Sequence, residues 1–444
     1  MSEPRTPLLH DISYGVISLG STAIWSVLTS WLLYFYLPPD GDPLVPAAVF
    51  SAIMLGVRVV GALVITPIGY LSDRTHTRWG RRLPYMALSG LPMLLLFVLL
   101  WTPPVAGASV WNAVYLLLTF TLYSIAYSIY QIPYVALMPE IAVTDPHRVR
   151  LAAWNSGFLL VGMIVSGLAG PLIERLGYVW TAIIYAAIAF PTLYGPITVL
   201  RERTERATSP PRLSFRESIA TVLRNPAFRI LTGAGILYWS TTALIPAALP
   251  YIATEICRLS TADTMVFYIP AILASLACYP VVTWLSDRQG KWRVFSGSLI
   301  ASAVVFPGLM LISDSIPISL KAQGIIWVTL QAIASAGVTM LPPAFGAEIT
   351  DDDAKRTGER REGAYYATWG LFDQLVNGIA AATLPLLLLL GSSRSDPHGP
   401  LGVRMVGLVC GLFMVIAFLI FQRYPFRGRV NSARQRQIAR GIPE

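Results

Sequence analysis

The sequence predicts an all-α polytopic membrane protein with 12 transmembrane helices in two six-helix bundles and both termini in the cytoplasm. Three observations predict this class: the composition, the long apolar stretches, and a repeat between the two halves. Of the 444 residues, 55% are apolar and 13% are charged, and the mean hydropathy is +0.59. A soluble chain carries roughly 25% charged residues. The composition therefore excludes a soluble enzyme and a disordered protein.

The apolar stretches are continuous, and each is long enough to cross about 30 Å of hydrocarbon as a helix. A transmembrane β-barrel would instead show alternating apolar and polar residues in segments of about ten. Six spans precede a polar segment and six follow it. The predicted spans are 14–36, 47–71, 84–101, 110–137, 152–173, 179–200, 230–254, 261–285, 294–312, 322–347, 363–390 and 401–422.

The distribution of basic residues predicts the orientation. With a cytoplasmic N-terminus, 27 of the 33 Lys and Arg residues lie in inner segments, five lie in outer loops, and Arg58 lies inside a span. The positive-inside rule then places both termini in the cytoplasm. We expect the chain in the cell (inner) membrane. This bias explains the net charge of +9. We therefore expect the lipid bilayer and a small-molecule solute as partners, no nucleic acid, and a monomer.

Several sequence motifs of the first half of the chain recur in the second half. The motif Leu-Ser-Asp-Arg ends the second span at 71–74 and the eighth span at 285–288, and similar patterns surround Glu140 and Glu348. A duplication with a site near the midplane is typical of secondary transporters. The predicted divisions are an N-terminal bundle at 1–200, a cytoplasmic linker with an amphipathic segment at 201–229, a C-terminal bundle at 230–424, and a basic cytoplasmic tail at 425–444.

The repeated motif predicts gating contacts on the cytoplasmic face. An aspartate at a helix end that faces several arginines can pair with a neighbouring helix and hold that side shut in one conformation. The simpler alternative is that the arginines only anchor the loops. The predicted gating residues are Asp73, Arg74, Arg81, Arg82, Glu140, Asp287, Arg288 and Glu348.

These motifs also resemble a known family. Gly69–Arg74 and Arg78–Tyr85 resemble the loop signature of the major facilitator superfamily and, more narrowly, of the glycoside–pentoside–hexuronide cation symporters (melibiose permease-like). Ile132–Glu140, Asn225–Phe228 and Arg360–Gly363 fit the same family. The resemblance implies the major facilitator fold and cation-coupled transport of a sugar by alternating access.

Several positions depart from the melibiose permease branch. Its acidic pair on helix two, which binds the coupling cation, has no counterpart in 58–67. Gln131, Ser156 and Gln374 stand where that branch has charged residues. The resemblance therefore does not carry over the sodium site or the charged sugar contacts, and we expect H⁺ rather than Na⁺ if transport is coupled.

Two formal charges, Arg58 and Asp373, are predicted well inside the spans. They lie about 16 Å from Ala47 and about 15 Å from Gly363 at 1.5 Å per residue, which is near mid-depth. An ionisable group there costs several kcal/mol unless it is paired or hydrated. Spans two and eleven meet between the halves of the fold that the resemblance implies. We therefore predict that Arg58 and Asp373 pair or share a polar site. The alternative is that water or backbone carbonyl groups satisfy each charged side chain separately.

Polar and aromatic side chains recur every fourth residue on spans one, four, seven and ten, which places them on one helix face. In the major facilitator fold the corresponding helices line the central cavity. Hydroxyls can also bond back to their own helix, but aromatic rings beside hydroxyls and amides suit a small, mostly neutral solute such as a sugar. The predicted substrate-binding residues are Thr22, Trp25, Tyr127, Gln131, Trp239, Gln331 and Asn377.

The leading functional interpretation is secondary active transport of a sugar or glycoside, with proton coupling at Asp373 as the favoured mode and uniport as its alternative. A lysolipid or amphiphile transporter of the same fold, or a non-transporting receptor or scaffold, are the other candidates. The three cysteines and four histidines are scattered, so no catalytic residue, metal or other cofactor is expected. The chain has no Walker-type loop for ATP.

Overall fold

The computed structural model describes residues 8–75, 77–142, 145–200, 220–357, 362–396 and 398–427. In these ranges the chain is almost entirely helical, apart from an isolated bridge between Thr77 and Gly80 in a loop. This confirms the predicted all-α class.

The described residues of the first half form six α-helices. They are α1 (Leu8–Tyr36), α2 (Ala47–Arg74), α3 (Leu83–Leu99), α4 (Val110–Ile141), α5 (Asp145–Gly167) and α6 (Ala169–Val199).

The second half repeats this order with one extra helix and some irregular turns. A π-helical turn, Ile252–Ile256, follows α7, and 3-10 turns at Ala262–Thr264 and Phe306–Leu311 precede α8 and follow α9. The α-helices are α7 (Pro226–Tyr251), α8 (Met265–Gln289), α9 (Lys291–Val305), α10 (Leu320–Met340), α11 (Pro342–Thr357), α12 (Glu362–Leu388) and α13 (Leu401–Phe421).

Ten helices within the described ranges are long and apolar enough to cross a membrane. Two more coincide with predicted spans. The helix α3 is apolar but has only 17 residues, and α5 begins with polar and charged residues before its apolar part. The predicted set of twelve spans therefore agrees with the helices of the structure.

Two predicted boundaries differ from the structure. The predicted tenth span, 322–347, is broken at Leu341, because the two prolines that follow cannot donate the backbone hydrogen bonds of a continuing helix. The polar helix α11 is therefore separate, and α12 is the eleventh span. The chain also turns at Leu168, and Gly177 has a positive φ of 79° that kinks α6 where the sequence predicts a loop.

Each half is held by its own helix contacts. In the first half α1 packs against α5 and α6, and α3 packs against α4 and α6. In the second half α7 packs against α12 and α13, and α10 packs against α8 and α9. A Cβ at Gly162 would lie 2.6 Å from the carbonyl oxygen of Leu19. This glycine therefore allows the close approach of α1 and α5, as small residues do between membrane helices.

The halves meet mainly through α2 with α12 and α1 with α7. We call the side with the turns at 75–82 and 289–291 the basic face, and the side where α1 ends the opposite face. Hydrogen bonds between described residues join the halves only at the opposite face. They include Ser30–Tyr268 (3.0 Å), Tyr34–Thr254 (3.3 Å), Tyr251–Leu37 carbonyl (2.6 Å), Ser51–Ala382 carbonyl (3.1 Å) and Ser395–Asp40 (3.0 Å).

This distribution of contacts defines the conformation, which is closed at the opposite face. If the basic face is cytoplasmic, as the positive-inside rule predicts, the face that is closed in this conformation is the outer one.

Candidate solute site between the halves

A cavity of about 330 Å³ lies between the halves near the middle of the helices. Side chains of α1, α2, α4, α7 and α12 line it. The polar and aromatic lining residues are Trp25, Arg58, Ser124, Tyr127, Ser128, Trp239, Thr242, Asp373, Gln374 and Asn377. The cavity thus receives groups from both halves.

A smaller apolar compartment of about 60 Å³ shares Arg58 and Asn377 with this cavity. Its apolar walls include Leu32, Phe50 and Leu384, which lie nearer the opposite face. The polar cavity is therefore separated from the opposite face by apolar side chains.

Stacked aromatic rings form one wall of the cavity. The ring centroids of Trp25 and Tyr127 are 5.2 Å apart with an interplanar angle of 24°, and Tyr127 stacks on Tyr123 at 6.1 Å. The guanidinium carbon of Arg58 lies 5.0 Å from the Trp25 ring centroid. Such a cation–π contact contributes about 0.5–2 kcal/mol and fixes the position of the cation.

Asp373 presents its carboxylate to the cavity from α12. The Asn377 amide, one turn further on, donates to the Asp373 carbonyl oxygen at 2.9 Å and to its carboxylate at 3.2 Å. Arg58 lines the same cavity, but it forms no direct ion pair with Asp373 in this conformation. Of the alternatives for these two charges, the structure shows a shared polar cavity.

The structure brings together six of the predicted site residues: Trp25, Arg58, Tyr127, Trp239, Asp373 and Asn377. Ser124 and Ser128 were not predicted. They lie four residues apart on α4, directly beside the predicted aromatic stripe, so the same helical spacing could have indicated them.

Three predicted substrate-binding residues do not line the cavity. Thr22 faces α5 and lies next to Gly162. Gln131 has a buried side-chain oxygen without a hydrogen-bond partner. Gln331 donates to Ser335 at 3.2 Å, and Ser335 contacts Ser302 on α9. The polar stripe of α10 therefore faces a neighbouring helix of its own half.

The predicted gating glutamates each bind a cation within their own half. Glu140 accepts from Arg81 Nε at 3.0 Å and lies 3.0 Å from Arg82 Nη2. Glu348, at the corresponding position of the repeat, lies 3.2 Å from Lys291 Nζ. In the first half these contacts tie the end of α4 to the loop before α3, and in the second half they tie α11 to the first residue of α9. Neither contact joins the halves.

The other predicted gating residues lie elsewhere. Asp287 is exposed, and the guanidinium carbon of Arg288 lies 4.2 Å from the Trp284 ring centroid. The side chains of Asp73 and Arg74 lie outside the described residues. Gating by the repeated motif stays a prediction.

The buried acidic residue near the start of α1, at the basic face, was not predicted from the sequence. Asp11 is fully buried and accepts from His147 at 2.8 Å and from Arg150 Nε at 2.5 Å, both on α5. This cluster ties the first turn of α1 to the first turns of α5.

We expect Glu140→Gln to destabilise the protein more than Glu348→Gln. The side chains of Glu140 and Arg82 are only about a tenth exposed, and removing one partner of a buried ion pair costs on the order of 3 kcal/mol. The Glu348 pair is more exposed, so its loss costs about 1 kcal/mol. Thermal unfolding of the purified variants in detergent measures the difference. If Glu348→Gln lowered the unfolding temperature as much as Glu140→Gln or more, the stronger role of the buried Glu140 ion pair would be contradicted.

Two halves of membrane-spanning helices with a polar cavity between them define the protein as an integral membrane protein of the secondary transporter class. The family comparison agrees with the geometry. The chain belongs to the MFS/sugar transport protein family, whose model matches residues 13–427.

Named relatives span most of the chain. A glucuronide carrier protein homolog of Escherichia coli is 28% identical, covering 93% of this chain and 92% of the relative. An isoprimeverose transporter of Lactiplantibacillus pentosus is 23% identical and covers 87% and 81%. A putative sulfoquinovose importer of Salmonella typhimurium is 24% identical and covers 93% and 89%.

Solved structures show the same fold. The nucleoside transporter NupG matches with a TM-score of 0.68 at 13% identity, covering 94% of this chain and 98% of NupG. A bacterial homolog of the lysosomal transporter Spinster, in an inward-facing and unoccupied conformation, matches with a TM-score of 0.64 at 12% identity, covering 95% and 98%. The predicted major facilitator fold is thereby confirmed.

Proposed function

We propose that the protein is a proton-coupled symporter of a sugar or glycoside. The observation that carries the proposal is the cavity between the halves, in which Asp373 lies among aromatic and amide side chains. Aromatic faces pack against sugar rings, and hydroxyl, amide and carboxylate groups bond sugar hydroxyls. The relatives named for glucuronide, isoprimeverose and sulfoquinovose transport support the same class of solute.

Proton coupling is favoured by the charges in the cavity. Asp373 is the one carboxylate among the described lining residues, and α2 offers no acid between Arg58 and Pro67. A fixed guanidinium in the same cavity opposes the binding of a metal cation, because a low dielectric strengthens the repulsion. A carboxylate that exchanges a proton avoids this repulsion, since its protonated form is neutral.

The contact of Asp373 with Asn377 suits either protonation state. The amide nitrogen donates to the ionised carboxylate, and the amide oxygen can accept from the protonated form after rotation. Because Arg58 does not pair with Asp373 in this conformation, the two residues do not act as a permanent strut here. Formation of the pair in another conformation would then release the proton.

The proposal is tested by uptake into proteoliposomes that contain the purified protein. A panel of labelled hexoses, pentoses, glycosides and uronides is presented under an imposed proton gradient or an imposed sodium gradient. We expect accumulation of one sugar class above equilibrium with the proton gradient alone. Sodium-driven accumulation would contradict proton coupling, and simple equilibration would indicate a uniporter.

We expect Trp239→Ala to weaken sugar binding about tenfold or more, since an aromatic platform of the cavity is lost. Gln331→Ala is the matched control, because Gln331 bonds Ser335 inside the second half and does not line the cavity. Binding by the purified variants is measured by isothermal titration with the sugar found in the uptake panel. Equal losses in both variants would place the sugar outside this cavity.

A further inference from the structure

We propose that Arg58 binds an acidic substituent of the transported sugar, so that the preferred substrate is an anionic sugar or glycoside. This inference rests on the proposed function and narrows it. Among the described lining residues, Arg58 is a charged group whose buried Nε–H has no hydrogen-bond acceptor.

Arg58 is placed in the cavity by its surroundings. Its aliphatic stem lies beside Gly378 of α12, where an added Cβ would sit 3.5 Å from Arg58 Cγ. Its guanidinium lies over the Trp25 ring. The stem is therefore held between α1 and α12, and the charged end lines both the polar and the apolar compartments.

The hydrogen-bonding groups of Arg58 have no protein acceptor among the described residues. The Nε–H is buried and has no hydrogen-bond partner, and the guanidinium makes no ion pair with Asp373. The contact with Trp25 uses the ring face and leaves the N–H donors free for other acceptors. A cation at this depth requires water, a protein anion or a solute anion.

A planar guanidinium matches a carboxylate or a sulfonate through two parallel hydrogen bonds. Asp373 and Asn377 line the same cavity, where the carboxylate can accept from sugar hydroxyls and the amide can donate to them. A sugar with one acidic group could therefore bind Arg58 through the acid and Asp373 through its hydroxyls. A neutral sugar can accept hydrogen bonds from Arg58 through its hydroxyl oxygens, but it leaves the guanidinium without a counter-anion. Hydrogen bonds between two charged groups are roughly twice as strong as those between neutral groups, so the cavity should prefer the acidic sugar.

The test compares sugars that differ only in the acidic group. Methyl glucoside is paired with methyl glucuronide, methyl galactoside with methyl galacturonide, and the sulfonate analogue of methyl glucoside forms a third arm. Binding to the purified wild-type protein is measured by isothermal titration. We expect the acid to bind at least about tenfold more tightly than its neutral partner in one or more pairs, and the third arm distinguishes a sulfonate from a carboxylate substrate.

Variants then assign the preference to Arg58. Arg58→Gln should remove the preference for the acid, and Arg58→Lys should keep only part of it, because an ammonium lacks the planar fork. Arg258→Gln is the matched control, since Arg258 pairs with Asp314 on the exposed opposite face. Should Arg58→Gln fail to fold, the wild-type pairs and Arg58→Lys still decide the question.

The possible failures are distinct. A preference for the neutral sugar in every pair, or an acid preference that survives in Arg58→Gln, would overturn this inference and leave the proposed function intact. Failure of every sugar, acidic or neutral, to bind or to be taken up would overturn both.

Discussion

Asp373→Asn should abolish proton-driven accumulation while leaving sugar exchange across the membrane. The amide has the shape of the protonated acid and keeps a partner in Asn377, but it cannot exchange a proton. Without that exchange the sugar gradient is no longer tied to the proton gradient, so we expect the accumulation ratio in proteoliposomes to fall to about one. Exchange of labelled for unlabelled sugar should continue, because it needs only binding and conformational change.

The control for this variant is Asp314→Asn, which removes an exposed carboxylate at the opposite face. It should retain proton-driven accumulation. Full accumulation by Asp373→Asn would show that another group carries the proton, and loss of exchange together with accumulation would show that Asp373 is needed for sugar binding itself.

A disulfide across the opposite face should stop net transport. The Ser395 hydroxyl lies 3.0 Å from the Asp40 carboxylate in the closed conformation, and these residues belong to different halves. In a background with the three native cysteines replaced by alanine, oxidation of Asp40→Cys with Ser395→Cys should reduce uptake to below about a tenth, because the opposite face can no longer open. Reduction should restore it.

The single-cysteine variants are the controls, and oxidation should leave their uptake unchanged. Unimpaired uptake by the oxidised double variant, with the cross-link verified by mass spectrometry, would show that the opposite face need not separate at this point during transport.

The contact at Asp40 also depends on pH. Hydrogen bonds from Ser393 and Ser395 hold the pKa of Asp40 below its usual range. The stabilisation they give to the closed face is therefore present above the ordinary aspartate pKa and is lost as the pH falls through the lowered value.

Most of the fold could be predicted from the sequence, because each membrane-spanning helix requires a long apolar stretch that is visible in the sequence. The exceptions are informative. The break at Leu341 follows from two prolines inside an otherwise apolar stretch, and the kink at Gly177 follows from a backbone conformation that only the structure shows. Hydropathy averages over such local features.

The site was predictable where the sequence carried a rare signal. Charges at mid-depth are energetically costly, so Arg58 and Asp373 could be chosen from their positions well inside the predicted spans, and both line the cavity. Gln331 shows the limit of helical spacing. The spacing tells which residues share a face, but not which neighbour that face meets, and here the face of α10 meets Ser302 of α9 through Ser335.

The bonds that close the opposite face have a consequence for the speed of the cycle. Those of Ser30, Tyr34 and Tyr251 join neutral hydroxyl and carbonyl groups, each worth about 0.5–1.5 kcal/mol net. As the halves separate, water can replace these bonds one at a time. Opening can therefore proceed through several small activation steps, each of which breaks one bond. A modest amount of binding energy is then enough to shift the equilibrium between the two conformations.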